Sequence, residues 1–474
     1  MSAVEAADRS RRRVTVAVLL GLFTTTFPST VLTIAVQPIA RDLGSLPSTI
    51  VWVTTAPMLA AAVSTPLLGR LGDLFGHRRM FLLGIAVALV FALGSALAPN
   101  ASLLIATRTV SQIGGAATVP SAVALLFRLS PPGQRVRATA RVSAVTSTAA
   151  VIGIVVGGPL IDLIGWRPIF FTQAAVCAAA LLLSGTVLPA DPLGRLRTPV
   201  DLAGAATLAA TTFALTFGVN RLAVWGPSPV PLSCLALVPF GVWALVLVER
   251  RAKAPLLPVR VLATRNVRVI TGASLLLGAA YMGNFVISPL YLQSVLGLTA
   301  AATSLLTVTR TFSILLATPT AGRLGVRRGE RFVILLGCTG MALAFAAMAV
   351  GAGGASLVLI AVALPLSGYA WGHANPALIS AMGSAVDERD VGLAAALQPT
   401  SFQIGAVIGI GLFTAMAGDA TTPAPFALVF GLTAVCALLG TLALLRMRDP
   451  RVVVVRVPDT AEGAEDPSSA DLGR

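Results

Sequence analysis

The sequence predicts an all-α polytopic membrane protein with fourteen transmembrane helices and both termini in the cytoplasm. Apolar residues make up 56% of the 474-residue chain, charged residues make up 11%, and the mean hydropathy is +0.88. This composition excludes a soluble globular domain. Fourteen apolar stretches of roughly 17–27 residues are each long enough to cross a ~30 Å hydrocarbon core as a helix. If they are spans, 29 of the 34 Lys and Arg residues fall on one side, which the positive-inside rule makes cytoplasmic.

The predicted spans follow one another with short connections that leave no room for a soluble domain. We place them at 14–36, 50–69, 80–98, 102–127, 139–162, 168–188, 202–220, 231–248, 269–292, 302–322, 331–351, 354–380, 391–416 and 424–446. An N-terminal cytoplasmic arm precedes them at 1–13. A tail at 447–474, rich in Pro, Ala, Asp and Glu, is typical of disordered chain.

A weak internal repeat divides the spans into two halves. The run Gly-Arg-Leu-Gly at 69–72, after span 2, recurs at 322–325, after span 10. If the two runs are equivalent, 14–190 and 269–446 are six-helix halves, and 200–250 is an inserted helix pair. Repeated halves that meet around a central cavity are the usual architecture of secondary transporters that work by alternating access.

Charge and cysteine usage narrow the range of partners. The net charge is +15, but the basic residues are dispersed over short loops, whereas nucleic-acid binding needs a clustered patch. We therefore expect contact with anionic membrane lipid and none with nucleic acid. The four cysteines, Cys177, Cys234, Cys338 and Cys436, lie in four different spans without a CxxC pair. We expect no disulfide, no metal and no cofactor, and we expect a monomer.

The strongest local motif is the loop between spans 2 and 3, which reads GRLGDLFGHRR at 69–79. Its glycines, Gly69 and Gly76 among them, permit a tight turn and close helix approach. Asp73 can pair with cations or a helix N-terminus. The loop resembles the signature loop of the major facilitator superfamily, with His77 where a basic residue is usual. The resemblance implies the major facilitator fold and a gating role for Asp73, Arg78 and Arg79.

A second resemblance covers the predicted inserted pair. It is carried by the segments 201–204, 220–221, 225–229, 249–251 and 255–257, and by YLQSVLG at 291–297. These segments are similar to those of the fourteen-helix drug:proton antiporter family, which is a family of multidrug efflux proteins. The resemblance implies export across a bacterial cytoplasmic (inner) membrane.

Two arginines lie inside predicted spans. An ionisable side chain there is energetically unfavourable unless it has a functional partner. Arg108 and Gln112 in span 4 resemble the superfamily's span-4 Arg motif, which implies a role in proton coupling. The alternative for Arg108 is that it braces span 4 against span 1. Arg310 in span 10 is open to the same two interpretations.

Span 5 carries Gly153, Gly157, Gly158 and Pro159 where the antiporter family has a glycine-proline kink motif. The glycines match the pattern, but the proline lies later, so a kink would fall closer to the outer surface. Gly153 and Gly157 also have the small-xxx-small spacing that lets helices approach closely. A packing role and a mechanistic role both remain open.

The carboxylate that the family usually carries in span 1 is missing, because Pro28 occupies its position. None of the 19 acidic residues lies in the middle of a predicted span. His373 in span 12 could titrate in place of the carboxylate, or it could be a neutral packing residue. Candidate substrate-binding residues are Thr30, Gln37, Asn284, Arg310, Tyr369, His373, Asn375 and Gln403. They are sparse, so a largely apolar cavity is expected.

The sequence therefore favours a proton-coupled exporter of hydrophobic or amphiphilic small molecules that works by alternating access. One alternative is a uniporter, or a carrier of an anionic or lipid-like substrate without proton antiport. Another is a membrane-embedded sensor or assembly factor, although the short loops offer no interaction domain. An enzyme is excluded by the lack of any Ser/His/Asp grouping, nucleotide loop or metal cluster.

Overall fold

A computed structural model describes residues 3–129, 135–190, 202–252, 264–386, 391–417 and 419–448. Within these ranges every regular element is a helix. In chain order they are α1 Ala3–Asp42, α2 Pro47–Ile50, α3 Trp52–Phe75, α4 His77–Ala96, α5 Ala101–Leu129, α6 Arg135–Ile164, α7 Arg167–Val187, α8 Leu202–Trp225, α9 Pro229–Arg251, α10 Arg265–Ser294, α11 Ala300–Arg328, α12 Glu330–Gly353, α13 Leu357–Gly383, α14 Val391–Ala417 and α15 Pro423–Leu444. Most of the predicted tail, 449–474, lies outside the described residues.

Eleven of the described helices are long and apolar enough to cross a membrane, so the chain is a multi-pass membrane protein. Two others, α6 and α8, hold shorter apolar stretches, Thr148–Ile164 and Ala206–Val219. The helix α3 is not among the eleven. A total of fourteen spans stays a prediction.

The helices begin and end where the sequence supplies breakers and caps. Between α3 and α4 the chain turns at Gly76, whose φ of 100° suits a residue without a Cβ. At the start of α11 the Thr299 hydroxyl accepts a hydrogen bond from the Ala302 amide, which satisfies one of the free amides of the first turn. The helix α1 begins at Ala3, so the predicted arm is largely a helical extension of the first span.

Two groups of helices pack around the centre. The helices α1 and α3 to α7 contact one another, and α10 to α15 contact one another. We call them the first and second group. The groups meet mainly where α1 contacts α10, α3 contacts α14 and α6 contacts α11. The division into six-helix halves at 14–190 and 269–446 stays a prediction.

The predicted inserted pair lies at the edge of this arrangement. The helix α8 contacts both α3 and α14, so it covers a seam between the groups, while α9 packs mainly on α8. Large apolar side chains of α9, such as Phe240 at 68% and Trp243 at 65% exposure, point outward. Their natural environment is lipid, because water would solvate so much apolar surface poorly.

Candidate functional site

A cavity of about 270 Å³ lies between the two groups, near the middle of the bundle. The first group contributes α1, α3 and α5, and the second contributes α10 and α14. The lining residues are Ser29, Thr30, Leu32, Thr33, Val53, Thr54, Pro57, Met58, Ala61, Arg108, Gln112, Met282, Phe285, Val286, Gln403 and Ile410. Of the predicted residues, Thr30, Arg108, Gln112 and Gln403 come together here. A hydrogen bond of 3.4 Å from Gln403 Nε2 to the Met58 carbonyl joins the two groups at the cavity wall.

Arg108 is the charged residue of the lining and is only 1% exposed. Its Nη2 donates to the Ser29 hydroxyl on α1 at 3.1 Å, so it does brace spans 1 and 4. Its Nε and Nη1 have no hydrogen-bond partner within the described part of the chain, and the same holds for Gln112 Oε1. The bracing interpretation therefore explains only one of its nitrogens.

Arg310 lies beside the cavity rather than on its wall. Its Nη1 donates to Asn284 Oδ1 and its Nη2 to the Phe285 carbonyl, both at 3.3 Å. Its guanidinium also stacks over the Phe285 ring at 4.2 Å. Asn284 accepts a further bond from the Ser288 hydroxyl. This cluster fixes the position of Phe285, which lines the cavity.

His373 lies between α13 and α11, away from the lining. Its Nδ1 is 2.9 Å from the Tyr369 carbonyl, and its Nε2 is 3.0 Å from the Thr320 hydroxyl. Tyr369 is 41% exposed, and its ring packs against the histidine ring in a tilted arrangement with the centroids 4.7 Å apart. Asn375 and Gln37 are half-buried and are not among the lining residues. Hydropathy identified these helices correctly but could not determine which face of each helix meets the cavity.

Most of the segment predicted as a gating loop, 69–79, is helical: α3 runs to Phe75 and α4 begins at His77, so only Gly76 lies between them. A Cβ on Gly69 would approach Pro120 of α5 at 3.3 Å, and a Cβ on Gly72 would lie 2.6 Å from His77 Nδ1. The close packing at the end of α3 therefore needs small residues at Gly69 and Gly72. Arg78 Nη2 donates to the Gly185 carbonyl at the end of α7, and Arg79 is exposed. The side chain of Asp73 lies outside what the structure describes.

The glycines of α6 lie at two helix contacts. Added Cβ atoms on Gly153 and Gly157 would meet Thr30 and Val31 of α1, and one on Gly158 would meet Ser304 and the Ala300 carbonyl of α11. Small residues here let α6 touch its own group and the opposite group together. The helix continues through Pro159, which is exposed.

The two groups are joined by hydrogen bonds at one end of the bundle. This end carries the turns at 43–51, 97–100, 165–166, 226–228, 295–299, 354–356 and 419–422, and we call it the Arg-poor end. Asp162 of α6 accepts from the amides of Ala300 at 3.1 Å and Ala301 at 2.7 Å. Asp419 accepts from the amide of Ser48 at 3.0 Å and from its hydroxyl at 2.8 Å.

Deeper in the bundle, two further bonds cross between the groups. Ser304 donates to the Ile154 carbonyl at 2.8 Å, and Gln293 donates to the Ile34 carbonyl at 3.1 Å. Together with the two carboxylates they close the Arg-poor end above the cavity. The sequence analysis assigned no role to Asp162 or Asp419. It also missed Ser29, Thr33, Thr54 and Phe285, although the hydroxyl residues of α1 recur on one helical face.

Comparisons with known proteins agree with this architecture. The family model described as Major Facilitator Superfamily matches residues 18–301 and 269–465. The cephamycin export protein CmcT of Amycolatopsis lactamdurans is 30% identical over 423 residues, covering 85% of this chain and 84% of the relative. The tetracenomycin C resistance and export protein of Streptomyces glaucescens is 27% identical over 399 residues, covering 83% and 73%.

Solved structures share the fold at low identity. A peptide transporter in complex with sulfate has a TM-score of 0.70 at 16% identity, covering 91% of this chain and 94% of its own. The xylose transporter XylE from E. coli, in a partially occluded inward-open conformation, has a TM-score of 0.64 at 13% identity, covering 92% and 97%. The chain therefore belongs to the Major Facilitator Superfamily and is a membrane transporter rather than an enzyme.

Proposed function

We propose that the protein exports hydrophobic or amphiphilic small molecules across a bacterial cytoplasmic membrane by alternating access. The observation that carries the proposal is the cavity between the two helix groups. A few helical turns from this cavity, at the Arg-poor end, hydrogen bonds of Asp162 and Asp419 join the groups. The names of the relatives from Amycolatopsis and Streptomyces, which describe antibiotic export, support the direction of transport.

The positive-inside rule assigns the Arg-poor end to the outside of the cell. In that orientation the described conformation is closed toward the outside. Export requires the bonds of Asp162 and Asp419 to break while new contacts form at the opposite end, where the loop at 69–79 lies. Asp73, Arg78 and Arg79 are our candidates for gating residues at that opposite end.

A proton gradient is the first candidate for the driving force, with Arg108 and Gln112 near the coupling pathway. The second candidate is uniport, or carriage without proton antiport. One observation favours the second candidate: no carboxylate occurs among the described residues that line the cavity. A carboxylate is the usual group for binding and releasing protons inside a membrane.

Purified protein in proteoliposomes with an internal pH dye tests the proposal. A panel of lipophilic cations, neutral drugs and amphiphilic anions is added under an imposed pH gradient. Proton movement that depends on a panel compound and disappears in Arg108→Ala would support antiport. Compound movement without proton flux would support uniport. If no panel compound moves, the export proposal fails.

A further inference from the structure

The central cavity contains a buried positive charge without a matching negative one. Arg108 carries a positive charge at neutral pH, because a guanidinium is too basic to lose its proton there. Its side chain is almost wholly buried, and within the described part of the chain it donates to a neutral hydroxyl, Ser29 Oγ. A buried, unpaired charge is strongly unfavourable, so such a group normally has a counter-charge.

Among the described residues of the lining, none carries such a counter-charge. The polar groups beside Arg108 are hydroxyls and amides, those of Ser29, Thr30, Thr33, Thr54, Gln112 and Gln403. The nitrogens Nε and Nη1 both lack a hydrogen-bond partner within the described ranges. Each of these two nitrogens keeps an N–H that can donate a charge-assisted hydrogen bond to an acidic oxygen of a bound anion.

Most of the lining that the second group contributes is apolar, with Gln403 of α14 as its polar residue among those described. Met282, Phe285 and Val286 of α10 and Ile410 of α14 form the apolar part, with Met58 of α3 alongside. Phe285 is held in place from behind by the Arg310 guanidinium, which lies 4.2 Å from its ring centroid. A bound molecule is therefore offered most of the polar groups by the first group and a mainly apolar surface by the second.

We propose that the transported molecule is an amphiphilic anion, with its acidic group on Arg108 and its apolar body against Met282 and Phe285. This inference rests on the proposed export function and specifies its substrate class. The negative charge of the molecule completes the ion pair that the protein leaves open. A ligand that contacts both groups at once also couples its binding to their relative movement.

The negative charge of the transported molecule explains how export can proceed without a carboxylate inside the membrane. A cell interior that is negative expels an anion, and each 100 mV supports a concentration ratio of about fifty-fold for one charge. Export of a monoanion then needs no proton in return. The span-1 position held by Pro28 is consistent with such a carrier, because an acid near Arg108 would compete with the substrate for the guanidinium.

The test uses three radiolabelled probes with one apolar body: biphenyl-4-carboxylate, biphenyl-4-carboxamide and 4-(aminomethyl)biphenyl. Near neutral pH they are an anion, a neutral amide and a cation. Equilibrium binding is measured on the full chain in phosphatidylcholine nanodiscs, and binding to empty nanodiscs is subtracted. We expect the carboxylate to bind at least about tenfold more tightly than the carboxamide, which is the scale of a charge-assisted hydrogen bond.

Three variants locate the charge that is responsible. Arg108→Gln should bring the carboxylate-to-carboxamide affinity ratio to about one. Arg108→Lys should keep a ratio above one but lower it several-fold, because an ammonium lacks the planar pair of donors. Arg323→Gln, which removes an exposed arginine of α11, should leave the ratio unchanged. If Arg108→Gln does not fold, the carboxylate-to-carboxamide affinity ratio of Arg108→Lys tests the inference.

Two results would overturn the inference. The first is a wild-type protein that binds the amide or the ammonium probe as tightly as the carboxylate. The second is a carboxylate preference that Arg108→Lys and Arg108→Gln leave intact. Transport of the same probes into proteoliposomes separates this inference from the export proposal. Binding of the carboxylate without transport of any probe would contradict the export proposal alone. Transport without a preference for the carboxylate would contradict the inference about substrate class alone.

Discussion

At the scale of single residues, the two intramembrane arginines differ in what surrounds them. Arg310 has hydrogen bonds from Nη1 and Nη2 and a stacking contact with Phe285. Arg108 has one hydrogen bond and borders an open cavity. The different surroundings therefore support a structural role for Arg310 and a ligand-binding role for Arg108.

Replacing Arg310 should lower stability more than it changes ligand selectivity. Arg310→Ala removes two hydrogen bonds and the support of Phe285, and we expect a loss of about 2 kcal/mol or more. The apparent melting temperature in detergent measures it. Arg323→Ala is the matched control, since it removes an exposed arginine of the same helix. Equal melting temperatures for the two variants would contradict the structural role.

His373 should be dispensable for energy coupling. Both ring nitrogens already lie at hydrogen-bond distance from Tyr369 and Thr320, and the ring is outside the cavity lining. His373→Gln keeps a polar group near Thr320, so we expect transport between pH 5.5 and 7.5 to follow the wild-type profile. The profile is measured in proteoliposomes with both compartments at the same pH. A shifted or flattened profile would instead make His373 the titrating group.

At the scale of helices, α6 is the element that joins the two groups most closely. Its glycines allow close contact with α1 and α11, and its last turn presents Asp162 to the first amides of α11. A carboxylate at a helix N-terminus accepts from free amides and is favoured by the helix dipole. Asp419 makes the equivalent contact with Ser48 at the start of α2.

Removing these carboxylates should shift the protein toward the conformation open at the Arg-poor end. For Asp162→Ala we expect the closed state to lose about 1.5–3 kcal/mol, which is a population change of about tenfold or more. Spin labels on exposed Leu163 and Leu357 report the separation by double electron–electron resonance. In Asp162→Ala we expect a larger share of the molecules to show the longer distances between the two labels.

The matched control for this experiment is Asp42→Ala. Asp42 accepts hydrogen bonds from Trp166 and Arg167, which belong to its own helix group. Its removal takes away a carboxylate at the same end without breaking a contact between groups. The distance distribution should therefore stay as in the wild type. A similar shift in both variants would show that the effect comes from lost charge and not from the contact between groups.

At the scale of the whole molecule, hydropathy predicted the helices well because membrane thickness fixes their length. The span predicted at 80–98 is the helix His77–Ala96, and that predicted at 424–446 is Pro423–Leu444. The four-residue helix α2 and the extension of α1 to Ala3 escaped prediction, since both lie outside the apolar stretches.

The candidate site was predicted only in part, for a geometric reason. Arg108, Gln112, Thr30 and Gln403 line one cavity, whereas Tyr369 and His373 belong to α13, which contributes no described residue to that lining. Which face of a helix meets the centre depends on contacts with distant segments. Ser48 and Asp419, for example, are 371 positions apart in the chain. No local pattern in the sequence contains that information.

The most direct test of alternating access is to hold the Arg-poor end shut with a reversible cross-link. The double variant Ser48→Cys with Asp419→Cys is treated with a short bis-methanethiosulfonate reagent in proteoliposomes, and transport of the biphenyl probes is measured. Asp42→Cys with Arg167→Cys, linked within one group, is the control. We expect the cross-link between groups to stop transport, reduction to restore it, and the control to transport throughout. Undiminished transport with the two groups linked would contradict the account.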